Sequence, residues 1–457
     1  MGIRLDWEIE SDRAGTYDAR EDPENLRLRR RAQIRILVVI FFLAAILGGI
    51  GLLVVWQLNQ TDAYIETLLR NTVEAEVAAL RIGDWDAYSE TQRSANDEWT
   101  LVQRGTFEGY QNLKLTNDLQ LTGTVRDVEI DGLRARVMVE EIIDGVPFSQ
   151  VWFYWRYADG WRHVPPDYTF WGVAQEYQGK DMSVSYSGVD EALALELGIK
   201  VESWIADTCN NTLQCGDLPH ISVSIIPDND LTVDWNPNNP WTLIVPSPYV
   251  DRARSDLPFS GQLKVDVADR LADRLVSESL AIKDPAVYPR DAYYLRPAVK
   301  SWLVGRFVQL NTNSHLVTSL AENYGQEAVG RMLQSLTPDA SMAMLAGVVG
   351  VNSIAEAQLD WRDLLTWRLQ LEHELAELSR ETDFVALYDP ALADLARQRF
   401  NTPTTDPQRA VVTLAPVSTG TDGVPFIDAT VRYGEGDSGY EAVVRFRLID
   451  NVWRRAS

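Results

Sequence analysis

An uninterrupted apolar run near the N-terminus constrains the fold of this chain more than any other feature. From Ile36 to Trp56 the sequence reads ILVVIFFLAAILGGIGLLVVW, 21 residues without a charge. At about 1.5 Å per residue, a helix of this length crosses the roughly 30 Å hydrocarbon core of a lipid bilayer. A buried core helix is rarely apolar on every face over such a length, and the apolar region of a cleaved signal peptide is normally about 7–15 residues long. The run therefore predicts one transmembrane helix at residues 36–56.

Basic residues flank this segment on one side only. Five arginines lie between Arg27 and Arg35, whereas the first basic residue after the segment is Arg70. The positive-inside rule therefore predicts a single-pass protein of the cell membrane with a cytoplasmic N-terminus and an ectodomain outside. Residues 1–35 mix acidic residues and arginines with few apolar positions, which predicts a disordered cytoplasmic tail.

The negative charge of the chain lies beyond the apolar segment. Residues 1–35 carry eight arginines against eight acidic residues and residues 36–56 carry no charge, so the net charge of −24 belongs to residues 57–457. An acidic surface of this kind repels phosphate backbones and anionic lipid headgroups. We therefore expect no nucleic-acid partner, and contact with the lipid bilayer through the span alone.

The chain has two cysteines, Cys209 and Cys215, in the sequence TCNNTLQCG. On the predicted topology both lie outside the cytoplasm, where disulfides form and persist. A pair separated by a short polar loop more often forms a disulfide than a metal site, which would need two further ligands nearby. The sequence therefore predicts a Cys209–Cys215 disulfide, and the alternative is two free thiols.

Residues 60–172 show a helical pattern followed by a strand pattern. Apolar residues recur at helical spacing from residue 61 to residue 114, with an interruption at Gly83. Apolar residues then alternate in two runs that end at the turn sequences Asp144-Gly145 and Asp159-Gly160. Helices followed by an antiparallel sheet predict an α+β module.

This order of elements, with AALRIGDWDAY near its start and FYWRYADGWRHV near its end, resembles the cone-shaped fold of the nuclear transport factor two and SnoaL-like superfamily. The resemblance implies a curved sheet around a central cavity, and the superfamily includes both enzymes and proteins that only bind. Four aromatic residues are candidates either to line the cone or to pack as core: Trp152, Tyr154, Trp155 and Tyr157. The polar candidates for a cone site are Asp127, Glu140, Glu141 and His163.

Residues 371–457 repeat this plan at lower similarity. The sequence RETDFVAL at 380–387 is similar to RIGDWDAY, and RFRLIDNVWRR at 445–455 is similar to FYWRYADGWRH. Strand patterns near Val411, Phe426 and Tyr440 lie between them. The repeat predicts a second cone-like domain, and the alternative is an unrelated α+β cap.

The middle region, residues 180–370, begins with two strand patterns around a helix at 188–208 and continues with helices. Three later segments, at 267–280, 296–310 and 321–365, resemble in order the helices of gluzincin metallopeptidases of the peptidase MA-like group. The Asp360-Trp361 pair matches an aspartate-tryptophan pair of that family. The resemblance implies a mostly helical, peptidase-like domain.

The zinc chemistry of that family requires two histidines one helical turn apart, a glutamate base between them and a distant glutamate as third ligand. On the family pattern, Asp269 and Asp273 stand at the histidine positions, Arg270 at the base and Gly305 at the third ligand. No two of the four histidines, His163, His220, His315 and His373, are four residues apart. We therefore expect no catalytic residue, no metal and no cofactor in this domain, and acidic residues beside Arg270 and Arg274 are more typical of a salt-bridged surface than of a cation site.

The sequence thus predicts an α+β multidomain protein with an N-terminal transmembrane helix. A cone-like domain (60–172), a degenerate gluzincin-like domain (180–370) and a second cone-like domain (371–457) follow the span. The favoured function is that of a non-catalytic, membrane-anchored protein that acts through protein binding, assembly or sensing, with membrane or envelope proteins as partners. The alternative is a small-ligand receptor or an enzyme that uses a cone-domain cavity.

Overall fold

The computed structural model of the protein describes residues 23–280, 294–337, 340–402, 409–434 and 439–457. The chain is a mixed α+β protein, as predicted. It divides into two compact units, one that extends to Val73 and one that begins at Glu74. Each unit is described by itself.

Helix α1 (Pro23–Ile82) contains the whole of the predicted span. Its apolar side chains between Ile36 and Trp56 are exposed on every side, unlike those of a buried core helix. Within the described chain it is the one helix that is long and apolar enough to cross a membrane. The helix begins at Pro23, so residues 23–35 are helical, and the first 22 residues of the expected disordered tail lie outside the described part of the chain.

The second unit opens with helices and an antiparallel sheet, as the sequence predicts. Gly83, with φ of +78°, ends α1, and the Asp84 carboxylate caps the next helix by accepting a hydrogen bond from the Ala87 N–H at 3.1 Å. This first module contains α2 (Trp85–Glu90), α3 (Asp97–Thr116), β1 (Leu119–Gln120), β2 (Val125–Asp131), β3 (Arg134–Ile143), β4 (Val146–Tyr157) and β5 (Gly160–Val164). The predicted turns at Asp144-Gly145 and Asp159-Gly160 join β3 to β4 and β4 to β5.

The four aromatic candidates of strand β4 differ in their burial. Trp152 and Tyr154 are buried, whereas Trp155 and Tyr157 lie near its end and are 40% and 36% exposed. Phe153, on the opposite face of the strand, is also buried because it contacts Trp171 of the following segment, with ring centroids 6.0 Å apart. Both faces of this strand are therefore covered at its centre.

The middle region forms a second sheet with a helical layer. Its strands are β6 (Ala174–Gln178), β7 (Met182–Ser187), β8 (Ile221–Ile226), β9 (Asp234–Asn236) and β10 (Asn239–Pro246), in the order β6-β7-β8-β10-β9. Helix α4 (Glu191–Thr208) joins the parallel pair β7 and β8, as the strand and helix patterns predict. A short strand, β11 (Ala253–Arg254), pairs with β4 of the first sheet, so the two sheets are linked.

The helical layer follows the predicted order of apolar segments. It contains α5 (Gly261–Ser279), α6 (Leu295–Val308), α7 (His315–Tyr324), α8 (Glu327–Gln334), α9 (Met344–Val349) and α10 (Arg362–Glu377). Val267, Leu271 and Leu275 of α5 are buried at helical spacing. Helix α10 runs without a break across the predicted domain boundary at residues 370 and 371.

The last module has the same order of helices and antiparallel strands as the first. It contains α11 (Glu381–Val385), α12 (Ala393–Asn401), β12 (Arg409–Leu414), β13 (Ser418–Thr419), β14 (Pro425–Tyr433), β15 (Tyr440–Ile449) and β16 (Val452–Arg455). The strands predicted near Val411, Phe426 and Tyr440 are thereby confirmed. Val444, Phe446 and Leu448 of β15 are buried in alternation, as expected for a strand with one covered face.

Cys209 and Cys215 lie at disulfide distance, with Cα atoms 4.9 Å apart. Their loop packs against α8, where Gly330 allows the approach, since a Cβ atom at this position would lie 2.3 Å from the carbonyl oxygen of Thr212. We expect neither thiol to react with a maleimide in freshly isolated membranes until a reductant is added. The variant Cys209→Ser should label at Cys215 without reductant, and labelling of both wild-type thiols before reduction would contradict the prediction.

Candidate functional site

The first module holds a buried polar network around Glu76 rather than an open cone. Glu76 is completely buried on α1, and its carboxylate lies 2.7 Å from His163 Nδ1. It also accepts hydrogen bonds from the Tyr154 hydroxyl at 2.7 Å and from Gln92 Nε2 at 2.8 Å. Burial, and then the Glu76 charge, raise the pKa of the Tyr154 phenol. The Glu76 carboxylate is thus paired with three side chains, as buried charged groups usually are, whereas Gln92 Oε1 is buried without a partner in the described chain.

Aromatic side chains fill the space beside this network. The rings of Trp152 and Tyr154 stack on His163, with centroids 5.3 and 5.1 Å from it. The cavity lined by Tyr110, Glu141 and Trp152 has a volume of about 10 Å³, which is room for roughly one water molecule. The interior of the first module therefore has no space for an organic ligand at this cavity.

The four polar candidates of the first module do not converge on one site. His163 lies in the network, and Asp127 lies on the sheet, 3.6 Å from Arg136. Glu140 and Glu141 form ion pairs with Arg126 and Arg252, respectively. Each of the four candidates therefore has its own ionic or hydrogen-bonding partner, and the four do not share one cavity.

The zinc-motif positions of the middle region form ion pairs. Asp269 pairs with Lys300 at 2.8 Å, and Asp273 pairs with Arg296 at 3.0 Å. Both partners lie on α6, so the two aspartates connect α5 to α6. Arg270 donates to the carbonyl oxygen of Val233 at 3.1 Å. The two aspartates are thus paired with cationic side chains, whereas a zinc site needs side chains that are free to bind the metal.

Gly305 has no room for a ligating side chain. A Cβ atom at this position would lie 2.8 Å from both the carbonyl oxygen of Leu310 and the Cγ2 atom of Thr312. A glutamate could stand there only after the backbone had moved. Across the described ranges, no group of three His, Cys, Asp or Glu side chains is placed to hold a metal ion.

The absence of zinc chemistry remains a prediction that can be measured. We expect the purified protein to contain no stoichiometric zinc by elemental analysis and to leave peptide substrates uncleaved, because Asp269, Asp273, Arg270 and Gly305 replace every group that the mechanism needs. Stoichiometric zinc together with proteolysis that a chelator abolishes would contradict this expectation.

The last module contains a pocket of about 260 Å³ between its helices and its sheet. We call it the C-terminal pocket. Its residues come from α10, α11, α12, four strands and the loops after α11 and α12. They are Glu372, His373, Ala376, Phe384, Tyr388, Arg399, Thr402, Arg409, Tyr433, Tyr440, Ala442 and Arg455. Three arginines and one glutamate give this pocket a positive charge in a protein of net charge −24.

Two of these arginines hold the buried glutamate of α10. Glu372 is 5% exposed, and its carboxylate accepts hydrogen bonds from Arg409 Nη1 at 2.6 Å and from Arg455 Nη1 at 2.9 Å. Burial lowers the pKa of Arg455, but the charges of Glu372, Tyr388 and Tyr433 and the hydrogen bond to Glu372 together outweigh burial and raise the pKa overall. The ion pairs join α10 to the first and last strands of the sheet.

The third arginine, Arg399, is placed differently. Nη1 of Arg399 is buried without a hydrogen-bond partner, and no carboxylate of the described chain lies within ion-pair distance of this residue. The hydroxyl of Tyr388, whose side chain is 1% exposed, also has no hydrogen-bond partner of good geometry. The guanidinium carbon of Arg399 lies 5.7 Å from the Tyr388 ring centroid. Burial and then the charge of Glu372 raise the pKa of the Tyr388 phenol, whereas the charges of Arg455 and Arg399 and a hydrogen-bonding contribution from Arg399 oppose the shift.

Aromatic rings form the remaining walls of the C-terminal pocket. Phe384 stacks on Tyr388 with centroids 5.5 Å apart, and Tyr433 stacks on Tyr440 with centroids 5.0 Å apart and an interplanar angle of 11°. Ala376 and Ala442 leave the space between them open. A concave site with apolar walls and a few convergent polar groups is the usual form of a small-ligand site.

The two modules place a glutamate and a basic residue in equivalent positions. In the first, Glu76 contacts His163, which is bridged to Gln92; in the last, Glu372 contacts Arg455, which is bridged to Tyr388. The sequence signal for this equivalence is the pair of endings Trp-Arg-His and Trp-Arg-Arg. It points to Arg455, but it gives no indication of Arg399 or Tyr388.

Comparison of the chain with protein-family models, with curated proteins and with solved structures found no match in any of the three. The function of the C-terminal pocket therefore has to be inferred from its own geometry.

Proposed function

We propose that the protein is a membrane-anchored, non-catalytic, extracytoplasmic receptor that binds a small ligand in the C-terminal pocket. The observation that carries this proposal is a pocket of about 260 Å³ lined by Arg399 and by Tyr388, whose buried hydroxyl has no hydrogen-bond partner of good geometry in the described chain. An unsatisfied buried polar group costs about 1–3 kcal/mol, and a ligand that pairs with it recovers that cost.

The cone-like interpretation of both modules supports this proposal. Each has helices before an antiparallel sheet, and in each a residue that follows one short helix, α2 or α11, forms a bridge to the last strand. The first module fills its interior with a buried polar network and aromatic rings, whereas the last keeps an open volume. One copy would then be structural and the other would bind.

The non-catalytic part of the proposal depends on the middle region. The ion pairs of Asp269 and Asp273 and the lack of space at Gly305 favour a gluzincin-like domain that serves as a scaffold. Its layer continues directly into the receptor module through α10.

Orientation in the membrane can be tested with protease added outside intact cells or protoplasts. The arginines between Arg27 and Arg35, and their absence between residue 57 and Arg70, predict digestion of residues 57–457 and protection of the N-terminal tail. Permeabilised cells provide the control in which both parts are digested. Protection of the ectodomain with digestion of the tail would reverse the topology.

The receptor proposal is tested by ligand-observed NMR of the full-length protein in nanodiscs with a panel of small acids, amides and amines. Filling the pocket from either wall, by Ala442→Phe or Ala376→Phe, is expected to weaken every specific hit at least about tenfold. Val443→Phe is the matched control, because Val443 adjoins Ala442 on β15 but is 66% exposed. Hits that survive both pocket variants, or the absence of any hit, would overturn the proposal.

Binding to membrane or envelope proteins stays a second proposal, which the net charge of −24 supports by favouring basic partner surfaces. The full-length protein and a version with residues 1–60 alone can be compared in pull-downs at low and high salt. Recovery of the same proteins by both would contradict a role of the ectodomain in such contacts.

A further inference from the structure

The chemistry of the C-terminal pocket restricts its ligand further than the proposed function does. We infer that the pocket takes a small organic monocarboxylate with a flat apolar body, held by Arg399 and Tyr388; this inference rests on the proposed receptor function. Each part of this description follows from a separate feature of the pocket.

The charge of the ligand follows from how the three arginines are used. Glu372 already accepts hydrogen bonds from Arg409 and Arg455. Within the described chain Arg399 has no carboxylate partner, and Arg399 and Tyr388, which can each donate a hydrogen bond, both line the same pocket. Two donors, one of them cationic, match the two oxygens of a carboxylate.

Glu372 sets the upper limit on the ligand charge. Its carboxylate lines the same pocket and is 5% exposed, so a dianion such as phosphate would be repelled at short range in a poorly solvated space. With a monoanion bound, the negative charges of Glu372 and the ligand offset two of the three arginine charges. One positive charge then remains in the pocket. A monocarboxylate is therefore preferred to a phosphate.

The body of the ligand follows from the remaining walls. Phe384, Tyr433 and Tyr440 present aromatic rings, and Ala376 and Ala442 present methyl groups. Planar faces favour a planar apolar partner, which can stack on them. The volume of about 260 Å³ lies below the roughly 300–1,000 Å³ typical of sites for drug-sized molecules, so the ligand is a small one.

The test is isothermal titration of the full-length protein in nanodiscs with benzoate, its neutral isostere benzamide, acetate and inorganic phosphate. We expect benzoate to bind at least about tenfold more tightly than each of the other three. Arg399→Gln should weaken benzoate binding about tenfold or more and leave benzamide unchanged, since a hydrogen bond to a charged group is lost only for the acid. Tyr388→Phe, a second and more conservative variant, should weaken benzoate binding about three- to tenfold.

Arg397→Gln is the matched control, because Arg397 lies on α12 close to Arg399 but is exposed and pairs with Asp394 at 2.9 Å. The carboxylate inference would be overturned if benzamide or phosphate bound as tightly as benzoate. It would also be overturned if Arg399→Gln and Tyr388→Phe weakened benzoate binding no more than Arg397→Gln does. Neutral ligands that Ala442→Phe displaces would leave the receptor function standing while removing this inference. Binding of benzoate that Ala442→Phe and Ala376→Phe do not affect would remove both.

Discussion

Replacing Glu372 by alanine is expected to lower the free energy of unfolding of the last module by about 3–5 kcal/mol. Glu372 is buried, and the substitution leaves the side chains of Arg409 and Arg455, 10% and 11% exposed, without their shared carboxylate. A buried charge that loses its partner costs far more than a surface ion pair contributes. The affected elements are α10, β12 and β16, which this carboxylate joins.

Hydrogen–deuterium exchange of the full-length protein measures this effect locally. Peptides from residues 362–377 and 440–457 should exchange about a hundred-fold faster or more, since each 1.4 kcal/mol is about a factor of ten. The control is Glu377→Ala on the same helix, where the glutamate is exposed and pairs with His373 at 3.1 Å, and where we expect at most about 1 kcal/mol. Equal exchange in the two variants would contradict the prediction.

A triple variant separates the loss of a partner from the loss of the ion pairs themselves. Glu372→Leu combined with Arg409→Met and Arg455→Met removes all three charges and keeps similar volume. Because buried ion networks often contribute little beyond apolar residues of the same shape, this variant should be less destabilised than Glu372→Ala alone. The opposite order would show that the charges stabilise the module in their own right.

Local patterns were sufficient to predict most of the sheets. The turns at Asp144-Gly145 and Asp159-Gly160 and the alternation along β15 depend on neighbours in sequence, and the structure confirms them. The pairing of β11 with β4 was not predictable, because the register Ala253 to Ser149 joins positions about a hundred residues apart through a two-residue strand. Such a short segment carries no periodicity to read.

The candidate site was predicted less well than the fold, for a physical reason. Motif searches depend on fixed spacing along one helix or loop, as in a zinc site. The C-terminal pocket instead takes Arg399 from α12, while Tyr388 follows α11 and Glu372 lies on α10, and no spacing relates the three. His163 was singled out as a polar candidate but lies in a buried core network, and its partner was not recognisable from spacing because Glu76 stands 87 residues earlier.

The second large effect concerns Asp190, which is expected to make the protein less stable as the pH rises from about 4 to about 7. Asp190 is completely buried at the start of α4, where Trp171 Nε1 donates to its carboxylate at 2.7 Å and Ser247 Oγ donates as well. Burial raises the pKa of this carboxyl from 3.8 to about 6, although both hydrogen bonds and the charge of Arg136 oppose the shift.

The sign of the effect follows from proton binding in the two states. Between about pH 4 and pH 6 the folded chain keeps a proton on Asp190 that the unfolded chain has lost, so stability is fully present below the unfolded pKa and is lost as the pH rises through the folded one. A pKa difference of about two units corresponds to about 3 kcal/mol as an upper bound, since one unit is about 1.36 kcal/mol. Above about pH 7 both states are ionised and the effect is constant.

Asp190→Asn isolates this contribution, because the amide is neutral at every pH and can still accept from Trp171 while donating to Ser247. Urea unfolding of the variant and of the wild type at several pH values should show the variant gaining about 3 kcal/mol relative to the wild type between about pH 4 and pH 7. Asp181→Asn is the control, since Asp181 is half exposed and its replacement should leave the pH profile nearly unchanged. The prediction would be wrong if the difference in unfolding free energy between the wild type and Asp190→Asn were constant with pH. That result would show that the carboxyl is ionised throughout and held by its two donors. Asp190→Asn should then be destabilised equally at both ends of the range.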